Sequence, residues 1–432
     1  MADKSSVTRP AELDGISAIA VEGFKSIRKR TEIAVRPLTL LAGTNSSGKS
    51  SIMQPPLLMK QTLEALYDPG ALLLDGPHVR FTAVEQVFSR FEGRSVNRFS
   101  VGIHLPEGKV VVRFQKQPKG GLDLIEMIAP LPDGTTSKLR PGFVREVGSY
   151  VLSVVRHRCF LTPQPFERAG ATLTAIEGPG YSYLAPAARN ARDDLRAIIH
   201  VAALRGNPER TYRTTAVGNE FPGTFEAYVA SIIHHWQETK DIRLKQLGAA
   251  LEKLGLNWTI KASRVDDTRV ELRVGRLKQR GRGRAQDLVS IADVGFGVSQ
   301  CLPVLVALLT ARPGQLVYIE EPEIHLHPRA QVALAQILAD AAGRGVRVVI
   351  ETHSSLLLLG VQALVAEGAL RPELVALHWF SLDKNGATQV RSADLDEAGA
   401  FGDWPEDFAE VALDAQARYL DAAERRMAKA NR

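Results

Sequence analysis

Eight residues near the start of the chain, Gly43-Thr-Asn-Ser-Ser-Gly48-Lys49-Ser50, have the types and spacing of a loop that cradles phosphate. The glycines let the backbone curl so that N–H groups point inward at phosphate oxygens. Lys49 adds a point charge near the outer phosphates, and the Ser50 hydroxyl suits Mg2+. The helix expected after the loop adds the partial positive charge of its N-terminus. Asn45, Ser46, Ser47, Gly48, Lys49, Ser50 and Ser51 are therefore the candidate nucleotide contacts.

Far along the chain, Leu316-Val-Tyr-Ile-Glu320-Glu321-Pro puts paired acids at the end of an apolar strand. The carboxyl edge of an open α/β sheet is where ligands bind. There Glu320 would hold magnesium, through water, and Glu321 would orient or deprotonate an attacking water. Without the upstream loop, the same residues read as a buried strand capped by solvated acids. Val349-Ile-Glu-Thr-His353-Ser ends a second apolar strand in a polar cluster. His353 would contact the last phosphate as a switch, or merely cap the strand. His325 and His327 form a His-x-His with no further ligand pattern, so they read as loop residues beside the acids. Val294-Gly-Phe-Gly-Val-Ser-Gln300 is a glycine-rich turn before a helix. It would present N–H groups to a phosphate, or serve as an ordinary strand-to-helix turn.

Elements must bring these groups together. Residues 16–21, 32–35 and 38–42 read as strands, the last running straight into the phosphate loop and a helix from Lys49. Pro55 and Pro56 predict a kink or early break in that helix. Residues 98–105 and 109–115 alternate as strands about a turn at 106–108. Residues 185–255 read as helical, with apolar spacing at Leu195, Ile198, Ile199 and Val201 and again from Phe225 to Leu254. Strands are expected at 258–262 and 270–274. The α/β texture then returns, with helices at 301–309 and 329–341 and strands at 316–319 and 346–350. A hairpin at 378–391 carries Asn385-Gly386, the signal of a type I′ turn, and a charged helix is expected at 405–430. No sustained heptads and no internal repeat are visible.

The chain has 432 residues, 45% of them hydrophobic, which is ample for two or three structural units. Its net charge of +6 admits a nucleic-acid partner without requiring one. Cys159 and Cys301 are the two cysteines, which excludes a disulfide framework. The N-terminus lacks the apolar stretch of a secretion signal, and no apolar run is long enough to span a bilayer. A cytoplasmic chain without a membrane partner is the expectation.

Together and in this order, the four elements resemble the ABC-type ATPase heads of the SMC, RecF and OLD (overcoming lysogenisation defect) group. GTNSSGKS resembles Walker A, LVYIEEPE Walker B, ETHS the switch-histidine segment and DVGFGVSQ the signature turn. Phe24-Lys25-Ser26 resembles the turn that lies near the nucleotide in this group, and residues 200–212 and 403–408 resemble recurrent segments of one subgroup. The resemblance implies an α/β fold, a P-loop NTPase head of ABC type with an inserted mixed β and helical subdomain. The expected parts are a head portion at 1–75, an insertion at 76–285, the second head portion at 286–378 and a hairpin and helix at 379–432. It further implies ATP and Mg2+ as ligands and a homodimer or higher homo-oligomer. ATP would be sandwiched between one copy's phosphate loop and the other's signature turn at Gly295, Gly297 and Ser299. The chain departs from the pattern where Gly295 replaces the usual signature serine and Glu320 the commoner Asp. Gln54, Gln61 and Gln86 all compete for the glutamine-loop position.

Only 79 residues follow His353, and Asp394-Leu-Asp396 reads as a loop, so the chain is not expected to be a nuclease itself. A separate effector protein, such as a nuclease, is the implied partner, in a nucleic-acid or phage-defence complex. Arg276, Lys278, Arg280, Arg282 and Arg284, interleaved with glycines, would follow a nucleic-acid backbone, or form a solvated hairpin tip. An ATP-gated scaffold that only holds a partner protein is the competing function. A transporter subunit is disfavoured by the signature turn.

Overall fold

The computed structural model describes residues 14–91, 94–118, 120–147, 150–169, 172–175, 184–203, 205–256, 259–275 and 288–402, with residues 418 and 420. In chain order, β1 (Ala18–Glu22), β2 (Thr31–Ala34) and β3 (Leu38–Gly43) lead into α1 (Lys49–Glu64). Then follow β4 (Arg90–Phe91), β5 (Arg94–Ser95), β6 (Arg98–Leu105), β7 (Gly108–Lys116), β8 (Leu122–Pro130) and β9 (Thr136–Leu139). The strands β10 (Val144–Val147), β11 (Tyr150–His157), β12 (Phe160–Ala169) and β13 (Thr172–Ala175) precede α2 (Pro186–Ala197), β14 (Ile199–Val201) and β15 (Tyr212–Arg213). Two helices, α3 (Glu226–Glu238) and α4 (Ile242–Lys253), are followed by β16 (Thr259–Arg264), β17 (Arg269–Gly275) and β18 (Leu288–Ser290). The chain continues through α5 (Phe296–Thr310), β19 (Leu316–Glu320), α6 (Pro328–Gly343), β20 (Arg347–Glu351), α7 (Ser355–Ala366), β21 (Val375–Leu382) and β22 (Thr388–Ala393).

The central sheet has the order β14-β19-β20-β3-β21-β22, parallel except for β22. Its strands are apolar on both faces because both faces are covered. Leu38, Leu40, Val317, Ile319, Val348 and Ile350 point into the core shared with α3 to α7. Leu41, Leu316, Tyr318 and Val349, one residue out of phase, point into the core under α1 and α2. Because neither face is free, polar groups leave the sheet at the strand ends. The carboxyl ends of β3, β19 and β20 therefore carry Gly43, Glu320 and Glu351 side by side, with Glu320 in register with Glu351.

A second, antiparallel sheet has the order β2-β1-β6-β7-β8-β9. It joins strands that precede the phosphate loop to strands from the middle of the chain. Smaller sheets are β10-β11-β12-β13 and β15-β17-β16 with β18 on β17.

Several expectations need correction. The helix after the phosphate loop does not stop at its prolines but runs sixteen residues to Glu64. Pro55 and Pro56 withhold two backbone donors, yet both are buried in a helix that is enclosed along most of its length. Packing of Ile52, Met53, Leu57, Leu58 and Leu63 into the core offsets the missing hydrogen bonds. Ile199 and Val201 are not helical. They form β14, which pairs in parallel with β19 and takes the middle of the chain into the central sheet. The β-branched run Ile198-Ile199-His-Val201 favours that strand once α2 ends. The hairpin turn is not type I′, since Gly386 has φ 72° but Asn385 is not left-handed. The Gly386 amide donates to Asp383, which gives a type I turn closed by a left-handed glycine. Trp258, the Arg276–Arg284 segment, residues 403–408 and nearly all of the 405–430 helix lie outside the described residues. The strands flanking the arginine segment pair at Gly275 and Leu288. Among the described residues, no helix is long and apolar enough to cross a membrane.

Candidate functional site

The phosphate loop leaves β3 at Gly43 and enters α1 at Lys49. Gly43 (φ 141°) and Gly48 (φ 101°) hold backbone angles that other residues adopt only under strain. A Cβ at Gly48 would lie 2.3 Å from Thr388 Oγ1 and 2.9 Å from Ser26 Oγ, so the loop is pressed against its supports. Those supports are explicit. Thr388 Oγ1 donates to Ser47 O at 2.8 Å and is 2.8 Å from Ser26 Oγ. Asn45 and Ser46 are exposed at the rim, while Ser47, Lys49 and Ser51 are buried. The Lys49 ammonium turns back on the loop, donating to the carbonyls of Gly43 (3.2 Å) and Thr44 (2.9 Å). Burial pushes it below its ordinary pKa, against the pull of Glu351, Glu321 and Glu323.

The acids surround this lysine. Ser50 Oγ donates to Glu351 Oε1 at 3.0 Å, and Tyr318 OH donates to Glu351 Oε2 at 2.9 Å. Burial raises the Glu351 pKa and neighbouring Glu320 adds to the rise, while the bonds from Ser50 and Tyr318 oppose it. Glu320 accepts from the amide of Ala203 at 3.1 Å and lies 3.2 Å from His200 Nε2. Its burial would raise its pKa, but His200, the Ala203 amide and Tyr318 together leave it lowered. Glu321 follows the strand with φ 44°, a left-handed position that turns the chain sharply after β19. Its amide donates to Glu351 O at 2.8 Å, and its carboxylate lies 3.6 Å from His353 Nε2. His353 has a lowered pKa, chiefly from burial and then from Lys49. Glu323 is buried and accepts from Thr352 Oγ1 (2.6 Å) and the His353 amide (2.8 Å).

Lys49, Ser50, Glu320, Glu321 and His353 thus meet at one edge of the central sheet, although more than 260 residues separate the first from the last three. Sequence reasoning missed Glu351 and His200. Glu351 stood in the ETHS segment without a role, because only the pairing of β20 with β3 brings it to Ser50. His200 was taken as part of a helix. The remaining candidates sit farther out. Phe24 is a core residue, edge-on to Phe81 and Phe99. Lys25 donates to Gln54 at 3.1 Å and lies over the Phe81 ring, and Ser26 braces the loop from behind. Gln61 and Gln86 are occupied with the backbone at 73–79 and 82–83. Gly295 caps α5 and is exposed, and Gly297 is half-buried. Ser299 Oγ donates to Phe296 O at 3.0 Å. The ring of Phe296 lies beside His325, while His327 caps α6. Asp394 pairs with Arg36 and Asp396 caps its own turn, both in the loop after β22.

The residues present fit a magnesium nucleotide. The loop holds two glycines in left-handed backbone that a Cβ would push off its supports, the buried Ser47 Oγ has no partner among the described residues, and an ammonium, a hydroxyl and carboxylates meet at the same sheet edge. The strand order places β20 between the phosphate-loop strand and the acid strand.

Residues 165–359 match the family described as "AAA domain, putative AbiEii toxin, Type IV TA system". The phosphate loop lies ahead of the matched stretch, and the acids, the glycine-rich turn and His353 lie inside it. Among solved structures, the Smc head bound to the C-winged helix domain of ScpA is 13% identical, with 89% of this chain and 99% of that chain covered and a TM-score of 0.49. The Smc head domain with an extended coiled coil bound to the C-terminal domain of ScpA, derived from Pyrococcus furiosus, is 11% identical, with 88% and 97% covered and a TM-score of 0.46. The SMC head domain from Thermotoga maritima is 10% identical, with 87% and 98% covered and a TM-score of 0.39. No curated protein matches the chain. The family match covers less than half of the chain, and the parallel sheet with a phosphate loop between β3 and α1 is the arrangement of a P-loop nucleotide-binding fold.

Proposed function

We propose that this chain binds ATP with Mg2+ on the Gly43–Ser50 loop and hydrolyses it with Glu321, and that ATP closes a head-to-head dimer. The observation that carries this reading is the meeting of Lys49 and Glu321 at one sheet edge. The loop amides and Lys49 bind the outer phosphates. Ser50 and Glu320, joined by Glu351 beside Ser50, would hold the magnesium, which when bound neutralises phosphate charge. Glu321 accepts the proton of the attacking water on its carboxylate, and His353 at 3.6 Å steadies that carboxylate and the last phosphate. The turn at Gly295–Gly297, exposed at Gly295 and Phe296, reaches the nucleotide of a second copy, whose closure is a population shift driven by contacts made only in the dimer.

The dimer controls a nucleic-acid-processing or anti-phage complex with a separate effector. The family description, which names a putative toxin of a toxin–antitoxin system, supports the defence reading. The test is ATP turnover with and without DNA. Stimulation of several-fold or more supports action on nucleic acid. Turnover indifferent to DNA, together with assembly that depends on a partner protein, supports an ATP-gated scaffold in its place.

A further inference from the structure

Arg205 is 7% exposed, and its guanidinium ends on backbone carbonyls. Taking a positive charge out of water normally calls for a carboxylate partner. Here one prong, Nη2, donates to the carbonyl of Glu320 at 2.8 Å, and the other, Nη1, donates to the carbonyl of Gln300 at 3.1 Å. Its Nε makes no hydrogen bond among the described residues. Burial lowers its pKa, opposed by more distant acids that include Glu226, Glu323 and Glu320. The two carbonyls belong to different working parts. Glu320 ends β19 and is followed directly by Glu321, while Gln300 lies in the first turns of α5, just behind Gly295 and Gly297.

The connection is made from both sides. The Gln300 side chain, itself buried, returns two hydrogen bonds, from Nε2 to the carbonyls of Arg205 (3.0 Å) and Gly206 (3.3 Å). The same stretch holds the Glu320 carboxylate through His200 Nε2 and the Ala203 amide. The start of α5 therefore cannot shift along its axis without displacing Arg205, and Arg205 cannot shift without releasing the backbone of Glu320. A planar fork fixes two acceptors at once, which a lysine ammonium on a flexible stem does not.

We propose that Arg205 is a positioning residue that couples the glycine-rich turn of α5 to the Glu320–Glu321 acids of the same chain. Engagement of that turn by the nucleotide of a second copy then sets the acids for hydrolysis in this copy's own cleft. The coupling rests on the ATP-sandwich reading above and adds to it the route by which each site senses the other. It gives a role to His200, Ala203, Arg205 and Gly206, which touch neither the phosphate loop nor Lys49 in the contacts described.

The test is Arg205→Lys, which keeps the buried charge and removes the fork. ATP hydrolysis is measured against ATP concentration, and ATP affinity separately by calorimetry. The expected result is a kcat lower by about tenfold or more, an ATP Kd changed by less than about twofold, and loss of the sigmoidal dependence on ATP. A packing role alone would lower the melting temperature and leave the shape of the ATP dependence as in the wild type. If Arg205→Lys fails to melt cooperatively, Gln300→Ala, which removes two of the four hydrogen bonds, should give the same loss of sigmoidal shape. Wild-type kcat and wild-type cooperativity in whichever variant folds would overturn the coupling. A wild-type chain without ATP turnover would overturn the functional reading and the coupling with it, whereas sigmoidal turnover in wild type with an unaltered variant overturns the coupling alone.

Discussion

The two largest sheets solve the problem of charge in opposite ways. In the parallel sheet both faces are buried, so Glu320 and Glu351 emerge at the carboxyl ends of their strands and converge with Lys49. In the antiparallel sheet charge can leave through one face. There Glu126 on β8, with a side chain 5% exposed, gathers Arg113, Lys138 and Arg140 around it. The first arrangement brings Lys49 and the acids together at one sheet edge and is suited to a ligand. The second matches each acid oxygen with cations across neighbouring strands and is suited to stability. Charge at strand ends and charge on a sheet face therefore predict different consequences of mutation.

The largest expected effect is at the strand ends. Lys49→Ala should remove the counter-charge of the phosphates and lower kcat/KM for ATP by more than about 100-fold, with the melting temperature nearly unchanged. Normal turnover in that variant would break the comparison at its first term. On the antiparallel face, Glu126→Gln should cost about 1–2 kcal/mol of stability, since it leaves three half-exposed cations without their acid, and should leave per-molecule ATP turnover as it was. A fall in turnover with no loss of stability would show that this face takes part in the chemistry.

The smallest effect lies between the two sheets, at Asp194 on α2. Burial, with Glu107 and Asp193 nearby, pushes its carboxyl up to about 6. An acid whose pKa is raised by folding disfavours the folded state once ionised. The penalty is absent below the unfolded value of about 4, grows between about 4 and 6, and is complete above 6. Asp194→Asn should therefore raise the melting temperature by a few degrees at neutral pH and leave it unchanged near pH 4. An equal shift at both pH values would contradict the assignment.

Much of the parallel sheet was legible in the sequence because its signals are local. The phosphate loop carries its glycines, lysine and serine within eight residues, and β19 and β20 are apolar runs that end in acids or a histidine. What was not legible depends on pairing. Glu351 acquires its neighbours Ser50 and Tyr318 from the order of β3, β20 and β19, which no short window contains. Ile199 and Val201 continued the spacing of α2, and only the free edge of β19 makes them a strand. Pro55 and Pro56 argued locally for a break, and the enclosure of α1 by the core overrode them. Asn385-Gly386 marked the hairpin correctly, but Asp383 accepts from the amides of Asn385 and Ala387 and holds a type I turn in place of the mirror form. Under the proposed function Gly295, Gly297 and Ser299 would serve a second copy, which no pairing within one chain displays.

The central claim is that Lys49 binds and Glu321 hydrolyses the same nucleotide. Glu321→Gln keeps the shape of the cleft and removes the base, so it separates the two roles. The measurement is size-exclusion chromatography of that variant with and without ATP and Mg2+, with bound nucleotide analysed in each fraction. The account predicts intact ATP retained in a dimer, with no dimer when Lys49→Ala is added. A monomer unchanged by ATP, or a variant that releases ADP at the wild-type rate, would contradict it.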